Sequence, residues 1–233
     1  MENQRSNTSA FRYYDAITAI FVAILLISQT TAQKIVSLGP FNFSAGIILF
    51  PISYIFGDVL TEVYGYARSR RVIWLGFLCS ALMSVIYWIV GLLPPASGWE
   101  NQDAYQRILG IVPRIALGSL VAYWAGEFMN SYVLAKMKIF TQGKYLWTRT
   151  IGSTIVGEAV DTVIVMFIAF YGVLPTQLLV SVMINIYWAK VLYEIVATPM
   201  TYIVVNFLKR AERADAYDDK TNFNPFRLRA PTA

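Results

Sequence analysis

The chain has 233 residues, 57% of them hydrophobic and only 14% charged, with a mean hydropathy of +0.51. A soluble domain carries about 25% charged residues, so this composition excludes one and specifies a polytopic membrane protein. The formal charge of +5 is no nucleic-acid footprint, because the basic residues lie between and beyond the apolar runs, and zero histidines with one cysteine, Cys79, exclude histidine catalysis, histidine metal sites and a disulfide framework.

In chain order, residues 1–10 are polar and carry no signal-peptide pattern, so residues 1–13 read as a cytoplasmic tail. Six apolar segments of membrane length follow, roughly 14–33, 43–65, 72–93, 108–134, 151–171 and 179–208. The expected fold is therefore all-α, a six-helix membrane domain over residues 14–208, with a second cytoplasmic tail over 209–233. Gly39-Pro40, Pro94-Pro95 with Gly98, Gln142-Gly143 and Pro175 punctuate the connections. The last segment exceeds one straight crossing, so it is tilted, kinked at Pro199 or begun by an interfacial turn. The connection containing Trp99, Glu100 and Asp103 reads as an interfacial loop rather than a lid. The polar tail beyond Arg210 reads as solvent-exposed and poorly ordered, although its Asn222-Phe223-Asn224-Pro225-Phe226 could dock back on the protein.

Orientation follows from Lys and Arg. Arg5, Arg12, Arg68, Arg70, Arg71, Lys136, Lys138, Lys144, Arg149 and the basic residues from Lys209 to Arg229 share one side of a six-span arrangement. The other side holds Lys34, Arg107 and Arg114. Both termini are accordingly expected in the cytoplasm.

Residues 50–71, FPISYIFGDVLTEVYGYARSRR, dominate the functional reading. Helical spacing puts Tyr54, Asp58 and Glu62 on one stripe, with the carboxylates one turn apart. If the helix ran on to Arg68 at the membrane surface, Asp58 would lie ~15 Å deep, near the middle of the ~30 Å hydrocarbon core. A carboxylate at that depth faces a cavity or a partner and marks either a functional site or a structural ion pair. The spans also hold Glu127, Glu158, Asp161 and Glu194, against Arg114 and Lys190. Glu158 and Asp161 share a face of the fifth segment with Thr154. Lys190 and Glu194 stand four apart on the sixth and are expected to pair with each other. The two acidic pairs occupy the second and fifth segments, corresponding positions if the chain is two inverted three-helix halves. Tyr54, Tyr64, Tyr123, Trp124, Trp147, Tyr187, Trp188 and Tyr193 lie on or near the same segments, and two or three are expected to touch a ligand.

The blocks FPISYIFGDVLTEVYGYARSRR, LWTRTIGSTIVGEAVDT and KVLYEIVATPMTY resemble the queuosine precursor transporters, also called the vitamin uptake transporter family, across roughly residues 14–208. The resemblance implies a six-helix bacterial inner-membrane importer of 7-deazaguanines, the nitrile preQ0 or the aminomethyl preQ1, for tRNA modification. By matching position it points to Tyr54, Asp58, Glu62, Arg68, Arg149, Ser153, Thr154, Asp161, Thr162, Lys190 and Pro199. Glu158 stands where glutamine is expected, and Glu127 with Asn130 where glutamine and aspartate are. A guanine-like edge offers adjacent donors that one carboxylate accepts as a bidentate pair. A preQ1 ammonium would engage a second acid. The expected substrate-binding set is Tyr54, Asp58, Glu62, Thr154, Glu158, Asp161, Lys190 and Glu194, with Arg68, Arg149 and Glu127 as gate or anchor residues and neither metal nor cofactor. The partners are a planar base and the lipid bilayer, not nucleic acid, and the sequence is compatible with a homo-oligomer.

Two other classes compete. The substrate-binding subunit of an energy-coupling-factor importer would dock its partner through small residues such as Ala19 and Ala23, and the chain has no Walker motif of its own. An intramembrane enzyme is disfavoured, since Phe56-Gly57-Asp58 only partly matches an aspartyl protease motif and no nucleophile turn is present.

Overall fold

Apolar runs bounded by glycine and proline become helices here, joined by short connections. The computed structural model describes residues 11–31, 34–38, 41–45, 49–110, 113–172, 175–219 and 221–227. Expectations for residues 1–10, Gly39-Pro40 and Arg229, and for the side chains of Tyr54 and Arg114, lie outside what is described.

The elements are α1 (Tyr14–Thr31), β1 (Ile35–Leu38), β2 (Phe41–Ser44), α2 (Phe50–Tyr64), α3 (Tyr66–Leu92), α4 (Gln102–Leu109), α5 (Pro113–Phe140), α6 (Leu146–Phe170) and α7 (Thr176–Glu212). Four of these helices, α1, α3, α6 and α7, are long and apolar enough to cross a membrane. α2, at 15 residues, spans only ~22 Å, and α5 carries Arg114, Glu127, Lys136 and Lys138 along its 28 residues. The helical class agrees with the sequence reading.

Three boundaries differ from expectation. The start of the second apolar segment is not helical: Phe41–Ser44 pairs antiparallel with Ile35–Leu38, Val36 opposite Phe43. The second helix stops at Tyr64, within one residue of its expected end at 65, and does not run on to the arginines as the depth count supposed. Gly65 takes φ 84°, and a Cβ there would lie 3.0 Å from Ala216 Cβ, so the turn demands glycine twice over. Arg68, Arg70 and Arg71 therefore open α3 instead of closing α2, and the depth count along one straight helix does not apply. The connection after Pro94-Pro95 contains a helix, α4, pinned by Gln102 and Gln106 side chains that both donate to the Gly91 carbonyl (3.0 and 2.5 Å).

α2 is the hub. Every residue from Gly57 to Ala67 is buried, and Ile55, Val59, Leu60 and Val63 pack with Ile17 and Phe21 of α1, Val72 of α3 and Val205 of α7. α5 and α6 pack closely through glycine. A Cβ on Gly157 would meet Asn130 Cβ at 2.8 Å and the Gly126 carbonyl at 3.0 Å, the small-residue contact that lets membrane helices approach. α7 continues as helix through Pro199 for 37 residues, or ~55 Å, well over a bilayer core.

The tail beyond α7 was expected to be loose, and instead it docks. Asp218 Oδ2 accepts from the Tyr66 amide (3.0 Å) at the start of α3, and Trp74 Nε1 donates to the Pro225 carbonyl (2.9 Å). Phe223 packs on Tyr66 and Tyr132, and Phe226 on Trp74 and Trp124. The two aromatics singled out in the sequence are the anchors.

Candidate functional site

α2 carries Asp58 and Glu62 one turn apart, and both are 0% exposed. Burial of a carboxylate costs several kcal/mol unless partners replace its water, so the partners define each role. Glu62 is saturated. Arg149 of α6 grips it bidentately, Nε to Oε2 at 2.7 Å and Nη2 to Oε1 at 2.8 Å, and Lys209 of α7 donates to Oε1 at 2.5 Å. Lys138 of α5 stands 3.3 Å from Oε1 and donates to the Glu62 carbonyl at 2.6 Å. The planar guanidinium suits this fork, and two of its other hydrogens go to the Lys144 and Gly143 carbonyls. Glu62 thus ties four helices at one level. Asp215 of the tail joins from outside, 2.5 Å from Lys138 and 2.8 Å from Lys209. Burial raises the Asp215 carboxyl, but hydrogen bonds from the two lysines outweigh it and hold the group below its ordinary value.

Asp58 is the opposite case. Asn130 Nδ2 of α5 donates to Oδ1 at 3.0 Å, and Oδ2 has no hydrogen-bond partner in the protein. Its neighbours Glu127 Oε2 and Asn130 Oδ1 of α5 and Glu194 Oε1 of α7 are also buried without a protein partner, as are Thr154 Oγ1, Glu158 Oε1 and Thr162 Oγ1 of α6. Glu194 and Glu127 are the acidic neighbours of Asp58 from α7 and α5. Gly57 lets Glu127 close on α2, since a Cβ there would lie 3.3 Å from its Oε2. Lys190 does not close the expected pair within its own helix. Its ammonium reaches across to α6, 2.6 Å from Glu158 Oε2 as an ion pair and 2.6 Å from Asp161 Oδ2 as a hydrogen bond, because two acids one turn apart offer a deeper well than one. Five carboxyls thus share this layer with one lysine, and buried groups of this kind are normally hydrogen-bonded. The arrangement can accept several hydrogen bonds from a donor-rich or cationic guest. Among the described residues no group of His, Cys, Asp or Glu is arranged to hold a metal ion.

The expected residues divide between these layers. Asp58, Glu127, Thr154, Glu158, Asp161, Lys190 and Glu194 gather in the unsatisfied layer, and Glu62 with Arg149 in the saturated one. Arg68 belongs to neither: its guanidinium covers the Phe11 ring at 4.5 Å and donates to the Tyr64 carbonyl. Ser153 bonds the Thr150 carbonyl within its own helix. Of the aromatics, Trp147 and Trp188 are more than half exposed and face outward, Tyr123 reaches the Ile73 carbonyl, and Trp124 packs on Trp74 and Phe128. Lys138, Lys209 and Asp215 were not singled out as site residues. The signal for them was an excess of buried acid on α2 that needed counterions.

Three comparisons bear on this geometry. The family model described as "Putative vitamin uptake transporter" matches residues 44–204. The chain is 33% identical over 184 residues to the "Probable queuosine precursor transporter" of Bacillus subtilis (strain 168), covering 78% of this chain and 80% of that protein. It is 24% identical over 210 residues to the "Queuosine precursor transporter" of Escherichia coli (strain K12), covering 88% of this chain and 92% of that one. No solved structure matches.

Proposed function

The chain belongs to the vitamin uptake transporter family, a multi-pass membrane transporter and not an enzyme, and from this we propose that it imports queuosine precursors across the bacterial inner membrane. The proposed cargo is a 7-deazaguanine, preQ0 or preQ1. The observation that carries the reading is the layer around Asp58, where carboxylate, amide and hydroxyl oxygens are buried without protein partners on four helices. A guanine-like edge supplies the adjacent N–H donors that such acceptors lack, each charge-assisted bond contributing about 1.5–3 kcal/mol. In this proposal Asp58, positioned by Asn130, takes the donor edge, and Thr154, Glu158, Asp161, Lys190 and Glu194 complete the site. The Glu62–Arg149 layer closes one side.

We place that closed side in the cytoplasm. Arg68, Arg71, Lys136, Lys138, Lys144, Arg149 and Lys209 cluster at this end of the bundle, which with six crossings puts both termini inside. Residues 14–208 then form the transport domain, flanked by cytoplasmic segments. Ala19 and Ala23 lie on the exposed face of α1, open to a coupling partner, so the decisive experiment uses the protein alone.

Purified protein in proteoliposomes is given labelled preQ0 and preQ1, with and without a pH gradient. Saturable uptake of either base supports the proposal. Uptake only after addition of an energy-coupling module would replace it with the subunit reading. Equal rates with and without the gradient would show that uptake is not driven by protons, and faster uptake with the gradient would show that it is.

A further inference from the structure

The described part of the tail runs to Arg227, and its first residues, Asp215 and Ala216, lie against the same lysines that hold Glu62. Lys138 is 2% exposed and its ammonium has three hydrogens. They go to the Glu62 carbonyl, Asp215 Oδ1 and the Ala216 carbonyl, so two of its three acceptors belong to the tail. Lys209 is shared in the same way, between Glu62 Oε1 and Asp215 Oδ1. The tail is held in place independently of this contact. Arg70, also 2% exposed, donates from Nη1 to the Asn222 and Asn224 carbonyls at 2.8 and 2.7 Å. Its buried guanidinium is thus matched to a docked tail. The Ala216 amide in turn donates to the Val63 carbonyl at 3.3 Å, next to Glu62.

We infer that Asp215 is a positioning residue of the gate, the acceptor that keeps Lys138 and Lys209 paired when Glu62 separates from Arg149. This rests on the reading of the Glu62 layer as a closed gate. Two carboxylates face three cations there. If Glu62 leaves with no second acid present, both lysines lose their only carboxylate in a partly buried setting. With Asp215 present they transfer rather than become unpaired. Asp215 is one of two acids for the lysines in the closed arrangement and the sole one in the open arrangement, so it favours opening.

The test reads opening without any cargo. In a Cys79→Ser background, Ser153→Cys places a thiol one turn beyond Arg149 on α6. Its labelling by a membrane-impermeant maleimide is timed from the tail side in oriented vesicles. Asp215→Asn is expected to slow labelling roughly three- to tenfold, between the effects of an exposed ion pair and a charge-assisted bond, and Asp215→Glu to restore it. Unchanged or faster labelling in Asp215→Asn would overturn the inference, the latter making Asp215 a lock. Detergent melting curves for each variant separate slowed opening from a misfolded protein. Slow labelling in Asp215→Asn, in a protein that transports neither base, would sink the cargo proposal and leave this inference standing.

Discussion

Asp58 and Glu62 are the same kind of group, one turn apart on one helix and equally buried, yet their surroundings are opposite. Glu62 meets Arg149, Lys209 and Lys138, so its burial is compensated within the protein. Asp58 is bonded by one asparagine, and its Oδ2, like oxygens of its neighbours Glu127 and Glu194, lacks a partner. Saturation of the first makes it a fastener, and any motion that breaks it must find other partners for its cations. Incompleteness of the second makes it a receptor for something outside the chain. Burial alone therefore does not mark a binding carboxylate; the count of satisfied lone pairs does.

The largest test of that contrast is removal of the fastener. Glu62→Ala leaves Arg149 without a carboxylate and Lys138 and Lys209 with Asp215 alone. Breaking a buried charge network in this way costs about 3–5 kcal/mol. The variant is expected to lose most of its monodisperse folded fraction in detergent, seen by size exclusion and thermal melting. A Glu62→Ala protein that melts with the parent would show that the four-helix tie contributes little.

Asp58→Asn should do the reverse. It is isosteric and removes a buried carboxyl that has no cation of its own, so the fold should melt at or above the parent temperature. Loss of a charge-assisted bond of about 1.5–3 kcal/mol predicts a ten- to hundredfold rise in the half-saturating concentration for the base. Unaltered uptake by Asp58→Asn would move the cargo away from this layer, while a collapsed protein would make Asp58 a second fastener.

The contrast between the two acids was only half visible in the sequence. Hydropathy located α1, α3, α6 and α7, because long apolar runs have few alternatives in a membrane. The polar residues inside those runs named most of the unsatisfied layer. What sequence spacing missed was decided by contacts between helices. Lys190 and Glu194 satisfy the i,i+4 rule, yet the Glu158–Asp161 pair on α6 captures the lysine. Lys138 and Lys209 look like ordinary positive charges at helix ends, and nothing local reveals that both point to Glu62. Gly65 sits between two tyrosines in an otherwise helical pattern. Its role as a break depends on Ala216 and Asp218, some 150 residues away. The hairpin was obscured because Phe43 continues an apolar run, whereas its strand partner is Val36 on the far side of Gly39-Pro40.

The smallest effect belongs to Asp215, the partner that the Glu62 layer leaves at the surface. The Asp215 side chain is 44% exposed, so its ion pairs are screened and contribute under about 1 kcal/mol to stability. Although burial raises this carboxyl, the hydrogen bonds from Lys138 and Lys209 leave it below its ordinary value in the folded protein. A group depressed in this way stabilises the fold above its unfolded pKa and loses that contribution as pH falls through the folded one. Through the range of about pH 5 to 8, well above the ordinary aspartate value, the melting difference between the parent and Asp215→Asn should therefore be constant. Below roughly pH 4 it should shrink, because the folded protein must also begin to protonate Asp215. Taking the difference between the two proteins cancels the other titrating acids. A difference that already vanishes between about pH 5 and 7 would mean that the lysines do not hold this carboxyl ionised, and that Glu62 keeps them to itself.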